Sequence, residues 1–164
     1  MHVYLEMGRE SEARWVLSHI EKTQKQADML PVHYGYYLYL RALLEKSDAF
    51  TRSAREQVRR LYEQAPDDMF LACLYVRMCE AELSPQERLA VYRKQYEYGS
   101  RNPILYLEAY SVFDESLAYL SEADAFEISL LRFGLRYGKY TQAMARRLTE
   151  KKKKKKEMSN PLFV

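Results

Sequence analysis

Apolar residues return at intervals of three and four positions through most of this chain, which is the spacing of one face of an α-helix. The clearest case is residues 48–65, where a charged face lies opposite the apolar one. Asp48 is a preferred residue type for an N-cap, and Pro66 ends the stretch. The pattern predicts an amphipathic helix with a single apolar stripe, formed by Phe50, Ala54, Val58, Leu61, Tyr62 and Ala65.

Amphipathic stretches alternate along the chain with stretches that are apolar on nearly every side. A helix that is apolar all round needs neighbours on several sides, whereas an amphipathic helix needs them on one. The alternation therefore predicts a stack of antiparallel helix pairs, with apolar inner helices and half-exposed outer helices. The apolar stretches are residues 32–44, 69–82 and 103–113, and the amphipathic ones are residues 10–22, 48–65 and 85–98.

Proline and glycine are few and fall at the predicted helix ends. The chain has only 5 Gly and 5 Pro in 164 residues, whereas an antiparallel β-protein of this length would need many more turn residues. Pro31 and Pro85 suit the first helical position, and Ser84 is a good N-cap before Pro85. Gly99 suits a left-handed helix end. The predicted fold class is therefore all-α.

A shift of 34 residues aligns part of the chain with itself, and 34 is the period of tetratricopeptide repeats. The aligned pairs are Tyr62 with Tyr96, Glu63 with Glu97, Asp68 with Asn102, Phe70 with Ile104, Leu71 with Leu105 and Val76 with Tyr110.

Two further segments resemble the turn inside a tetratricopeptide repeat. Residues 7–13 and 137–143 both place a glycine, Gly8 or Gly138, where that turn is left-handed, and a small alanine in the next helix. The resemblance covers most of residues 1–150. It implies a right-handed superhelical stack of antiparallel helix pairs, a tetratricopeptide-like solenoid.

The chain departs from the tetratricopeptide pattern in several places. The characteristic Trp and Leu-Gly of the first helix are missing, and Trp15 lies in a second helix instead. Residues 114–124 fit the period badly and predict a short or distorted helix. Half-a-tetratricopeptide repeats are similar to about the same degree. Residues 101–113 and 124–148 also resemble a family of long, uncharacterised helical-repeat proteins from clostridial bacteria, which has no assigned activity. The chain starts inside a repeat, which favours a segment of a longer array.

The basic net charge of +3 comes from one segment of six consecutive lysines. Taking these six from the 26 basic residues leaves 20 against 23 acidic ones, a net charge of −3. Adjacent like charges disfavour a helix, so we expect a helical-repeat domain over residues 1–150 and a basic, disordered tail over residues 151–164. The tail is either a solvated chain end or an electrostatic arm for nucleic acid. Its lysines are Lys151, Lys152, Lys153, Lys154, Lys155 and Lys156.

No arrangement of reactive side chains points to catalysis. The three histidines are scattered, and the motifs of zinc proteases, serine hydrolases and phosphate-binding loops do not occur. Cys73 and Cys79 are six residues apart in one predicted helix, about 9 Å along its axis, and so cannot form a disulfide. We predict no enzymatic activity, no metal and no cofactor. The unpaired thiols predict a reducing compartment, the cytoplasm. No stretch is apolar enough for a membrane span.

Tyrosine is unusually frequent, at 15 of 164 residues. Its apolar ring and polar hydroxyl suit both the seams between helices and the lining of a binding groove, and both interpretations stay open. In tetratricopeptide-like solenoids the inner helices line the concave face, and Tyr and Arg are enriched in binding hot spots. The predicted function is a non-catalytic scaffold that binds a peptide or protein segment. The alternative is a nucleic-acid-associated helical-repeat protein that uses the lysine arm. The candidate partner-binding residues are Tyr36, Tyr75, Arg77 and Tyr106.

Overall fold

The regular structure of this chain is helical wherever it is described. The computed structural model describes residues 5, 7–25, 28–116 and 125–136, and these ranges hold seven α-helices and no β-strand. The predicted all-α class is therefore confirmed. The helices are α1 (Glu10–Thr23), α2 (Pro31–Glu45), α3 (Asp48–Gln64), α4 (Met69–Met78), α5 (Pro85–Glu97), α6 (Pro103–Ser116) and α7 (Ala125–Arg136).

Helix α5 begins and ends as its sequence predicts. The Ser84 hydroxyl accepts a hydrogen bond from the Glu87 amide (3.3 Å), and the Glu87 carboxylate accepts one from the Ser84 amide (2.8 Å), which forms a capping box. At the other end, Gly99 has a φ of +96°. The amide of Ser100 donates to the carbonyl of Gln95 at 3.0 Å, a bond of the Schellman type.

Helix α3 is capped by Ser47, so the prediction of Asp48 as N-cap is wrong by one residue. Ser47 has an extended backbone, and its hydroxyl accepts a hydrogen bond from the Phe50 amide at 3.4 Å. Asp48 is already in the first helical turn, where its negative charge favours the positive end of the helix dipole. Both residue types favour a helix start, so composition alone cannot separate them.

Helix α4 ends at Met78, four residues before its predicted end at residue 82. The guanidinium of Arg55 on α3 donates to the Met78 carbonyl at 2.8 Å. The Cys79 carbonyl accepts the amides of Glu82 and Leu83 at 2.8 and 3.0 Å, which closes a turn. Helix α6 runs to Ser116, beyond the predicted residue 113, because its last residues are polar and leave no trace in an apolar pattern.

The apolar helices contact one another, as the alternation predicts. Helix α2 packs against α3 and α4, α4 also packs against α5 and α6, and α6 packs against α5 and α7. The apolar α4 buries seven of its ten residues, whereas the amphipathic α3 buries only Ala54 and Val58. The remaining residues of the predicted α3 stripe are partly buried against the same core.

Leucine side chains of α4 pack directly on the backbone of α2 at Gly35. A Cβ atom at this position would lie 3.2 Å from a Leu71 methyl and 3.3 Å from a Leu74 methyl. Two main core clusters lie on either side of α4, and the half-buried Tyr75 packs against both. Helix α4 is therefore the centre of the described fold.

Several predictions fall on residues outside the described ranges. These are most of the short or distorted helix at 114–124, the turn at Gly138 and the six lysines from Lys151 to Lys156. The division into a domain of residues 1–150 and a tail of residues 151–164 therefore stays a prediction.

Candidate partner-binding face

The three apolar helices α2, α4 and α6 leave a set of large side chains exposed. Such residues are unusual on helices that are otherwise buried on most sides. We call this surface the α2–α4–α6 face. Its exposed apolar members are Tyr36 and Leu43 on α2, Phe70 on α4, and Ile104 and Leu107 on α6.

Helical spacing places these side chains on one side of the fold. Phe70 stands seven residues before Arg77, and Ile104 stands four before Glu108, so each pair shares one face of its helix. Arg77 and Glu108 are joined by an ion pair. The exposed residues of α4 and α6 therefore form one continuous surface.

The ion pair between Arg77 and Glu108 joins α4 to α6 on this surface. The guanidinium binds the carboxylate through Nη2 and through Nε, the latter at 3.0 Å from Oε2. Hydrogen bonding to Glu108 raises the pKa of Arg77, and Tyr39 and Tyr36 add smaller electrostatic contributions in the same direction. The Glu108 side chain is only 15% exposed. The cation of Arg77 is thus already neutralised by its own chain.

Helix α2 adds two aromatic rings beside Arg77. Tyr36 and Tyr39 meet edge to face with their centroids 6.5 Å apart, a favoured arrangement of aromatic pairs. Tyr36 is 36% exposed. The surface that a partner would meet is therefore largely aromatic and aliphatic, with one charge pair that cancels.

The four predicted partner-binding residues divide into two groups. Tyr36 and Arg77 lie on the α2–α4–α6 face. Tyr75 is half-buried, because its ring stacks on Tyr62 of α3 at 4.9 Å. Tyr106 is 8% exposed and stacks on Phe133 of α7 at 5.3 Å. These two tyrosines pack between helices, so we do not include them in the α2–α4–α6 face.

Five residues of the face were missed from the sequence: Leu43, Phe70, Ile104, Leu107 and Glu108. The 34-residue shift aligns Phe70 with Ile104, and both are exposed to a similar degree, 40% and 42%. That alignment contained the signal for a shared role. Whether the shared role was burial or exposure could not be read from residue type, since both are large apolar residues.

Burial makes both thiols and one phenol of the described core harder to ionise. Burial raises the pKa of the Cys73 thiol to about 12 and also raises the pKa values of Cys79 and Tyr92. A catalytic thiol needs the opposite shift. Both cysteines are free, and no group of three or more His, Cys, Asp or Glu side chains could hold a metal ion in the part of the chain that is described.

The whole chain, residues 1–164, matches one protein family, described as Family of unknown function (DUF5717), N-terminal. The chain belongs to this family. Membership of the family does not indicate an activity, because the function of the family is unknown. No curated protein and no solved structure matches the chain. Within the described residues, no helix is both long enough and apolar enough to cross a membrane.

Proposed function

We propose that this chain is a non-catalytic scaffold that binds a peptide or protein segment across the α2–α4–α6 face. One observation carries the proposal: three neighbouring helices that are apolar on most sides expose five large apolar side chains, and helical spacing and the ion pair between α4 and α6 place these on one side. Contiguous apolar surface of this kind marks interaction sites in proteins. The outer helix α3, by contrast, exposes mainly charged residues such as Arg52, Arg60 and Glu63.

The proposal includes a tetratricopeptide-like superhelical arrangement. Its support is the order of contacts, in which α2 meets α4 and α4 meets α6 while α3 and α5 intervene in sequence. The equivalent helix starts at Met69 and Pro103, 34 residues apart, support the same repeat. In such a stack the α2–α4–α6 face is the inner, concave surface.

The chemistry of the face favours a partner segment without strong net charge. Because Glu108 already neutralises Arg77, an acidic peptide would have to displace an existing two-point ion pair. Aromatic and aliphatic side chains of the partner would bury against Phe70, Ile104 and Leu107 at no such cost. The two free, buried thiols are consistent with a reducing compartment such as the cytoplasm.

The alternative function, nucleic-acid association through the lysine arm, is supported by composition alone. Six phosphate contacts would give a log–log salt slope of about −5 without sequence preference. Comparing the full chain with a chain ending at Glu150 in nucleic-acid retention across a salt series tests it. Retention at low salt that the truncation abolishes would favour this alternative, and no retention by either form would remove it.

The scaffold proposal is tested by a pair of matched double variants. Phe70→Ser with Ile104→Ser removes two exposed apolar side chains from the α2–α4–α6 face, and Arg52→Ser with Arg60→Ser changes two exposed side chains on α3. Proteins retained by immobilised chain from an extract of the native cells are quantified by mass spectrometry. Loss of two contact residues at ~1 kcal/mol or more each predicts at least about tenfold weaker retention by the first variant. Equal retention by both variants, with unchanged helix content, would contradict the proposal.

A further inference from the structure

Helix α1 is held to the rest of the fold by few apolar contacts. Of its fourteen residues only Ala13 and Leu17 are buried, whereas α4 buries seven of ten. Ala13 and Leu17 form a small cluster with Leu44 of α2, joined by the partly buried Leu5 and Tyr37. Because the free energy of docking scales with buried apolar area, this interface is weak compared with those of α4.

Polar contacts supply much of the remaining attachment at the N-terminal end of α1. The guanidinium of Arg14 donates to the Leu44 carbonyl at 2.6 Å and to the Glu10 carboxylate at 2.8 Å. Glu10 in turn lies 3.4 Å from the Lys46 ammonium, just past the end of α2. All three charged side chains are more than 40% exposed, so water and salt screen these interactions.

The C-terminal end of α1 is attached in the same way. The Tyr37 hydroxyl donates to the Glu21 carboxylate at 2.8 Å, and Arg41 lies 3.6 Å from the same carboxylate. Glu21 and Arg41 are 40% and 35% exposed, less than the charges at the other end but still in contact with water. Both ends of α1 therefore depend on exposed carboxylates, Glu10 and Glu21.

An open cleft lies beside this second attachment. It has a volume of about 360 Å³ and is lined by Glu21, Gln24, Lys25, Met29 and Tyr37. A cleft of this size is open to water, so the side chains that line it are solvated and do not pack against one another. The cleft therefore leaves the end of α1 without close apolar packing against α2 at this point.

We infer that α1 is a reversible docking helix: it leaves α2 as a unit while α2–α6 stays folded, and ionic strength sets the balance between the two states. Undocking uncovers Leu44, which is fully buried when α1 is docked, together with the ring of Tyr37. Sub-global opening of a weakly packed element is a general property of folded proteins. Undocking of α1 does not depend on whether a partner is bound to the α2–α4–α6 face.

Hydrogen exchange of the full chain, followed by mass spectrometry at 0.05 and 0.5 M NaCl, tests the inference. Amides of α1 are expected to exchange at least about tenfold faster than those of α3 and α4, because the free energy of opening is smaller for α1. Raising the salt concentration should increase the amide exchange rate of α1 about threefold and leave that of α4 unchanged. Equal protection of α1 and α4, or exchange in α1 that does not respond to salt, would overturn the inference.

A matched pair of variants separates undocking from general destabilisation. Glu10→Gln with Glu21→Gln removes a charge at each end of the α1 interface, and Glu63→Gln with Glu97→Gln removes two exposed charges from α3 and α5. The first variant should increase α1 exchange about threefold or more with α4 unchanged, and the second should change neither. If the first variant increased the amide exchange rates of α1 and α4 together, the two helices would open as a single cooperative unit, which would overturn the inference.

Discussion

Arg77 of α4 and Glu108 of α6, which are 31 residues apart in the chain, form a two-point ion pair that joins the two helices. The pair lies on the surface of the α2–α4–α6 face, with the Glu108 carboxylate largely covered and the Arg77 guanidinium partly in water. It therefore aligns the two helices that carry Phe70 and Ile104 and removes net charge from the surface between them.

Replacing Glu108 by Gln should destabilise the fold, because Arg77 loses its counter-charge and one of its two acceptors. We expect a loss of about 1 kcal/mol in the free energy of unfolding, at the low end for charged hydrogen bonds because Arg77 is partly solvated. Urea denaturation measures the change, and Glu97→Gln on the exposed side of α5 is the control. The exchange variant Arg77→Glu with Glu108→Arg should recover part of the loss. A Glu108→Gln variant as stable as the control would show that the pair contributes nothing measurable.

Asp68 and Asn102 cap α4 and α6 in the same way, 34 residues apart. The Asp68 carboxylate accepts the Phe70 amide at 2.9 Å, and the Asn102 side-chain carbonyl accepts the Ile104 amide at 3.0 Å. Changing either cap to Ala should cost ~1 kcal/mol, while Asp67→Ala should change stability by less than about 0.5 kcal/mol. Thermal or urea unfolding checks this. A loss of stability in only one of the two cap variants would contradict the equivalence of the two turns.

The helices and their alternation could be predicted because they follow from spacing along the chain. The stripe of α3, the capping box at Ser84 and the glycine end of α5 all depend on residues within one or two helical turns. The end of α4 could not be predicted in this way, because it depends on Arg55, which reaches the Met78 carbonyl from another helix. Local pattern carries no information on such contacts.

The candidate site could be predicted only in part for a similar reason. Tyr36 and Tyr106 are the same residue type on the same class of helix, yet Tyr36 is exposed and Tyr106 stacks on Phe133. Whether a tyrosine on one of the apolar helices is covered depends on the helix that packs beside it, which for Tyr106 is α7. The sequence shows that Tyr is frequent, but the three-dimensional order of the helices decides which ring meets solvent.

Gly134 of α7 lies directly against the side chain of Tyr110 on α6. A methyl group at this position would overlap the Tyr110 hydroxyl and crowd its ring. Gly134→Ala should therefore destabilise the α6–α7 contact by ~1–3 kcal/mol, despite the better helix propensity of Ala. The double variant with Tyr110→Leu should be less destabilised than the sum of the two single changes. Strict additivity in urea denaturation would contradict this contact.

The buried thiols should resist modification until the chain unfolds. At pH 8, a disulfide reagent such as Ellman's is expected to label neither Cys73 nor Cys79 in the folded chain and to label both in urea, because burial raises the pKa values of both thiols. Labelling of the folded chain at the rate seen in urea would contradict the burial of these residues.

The same burial predicts lower stability in alkali. The folded-state pKa of Cys73 is about 12, well above the ordinary value of about 8.5. The stabilisation by the neutral thiol is therefore complete below the ordinary value and is lost as the pH rises through about 12. The free energy of unfolding should fall above about pH 9, and less steeply in Cys73→Ala, where Tyr92 still contributes. A curve for Cys73→Ala parallel to that of the unchanged protein would exclude this role of Cys73.

Site-specific photo-crosslinking in living cells tests the partner-binding face most directly. The photoreactive residue p-benzoylphenylalanine is placed at Phe70 on the α2–α4–α6 face or, as the control, at Arg60 on α3; both side chains are exposed. We predict covalent adducts between the Phe70 position and a defined segment of another protein, absent from the Arg60 position and lost when Ile104→Ser is added. The same adducts from both positions, or none from Phe70, would contradict a binding role for this face.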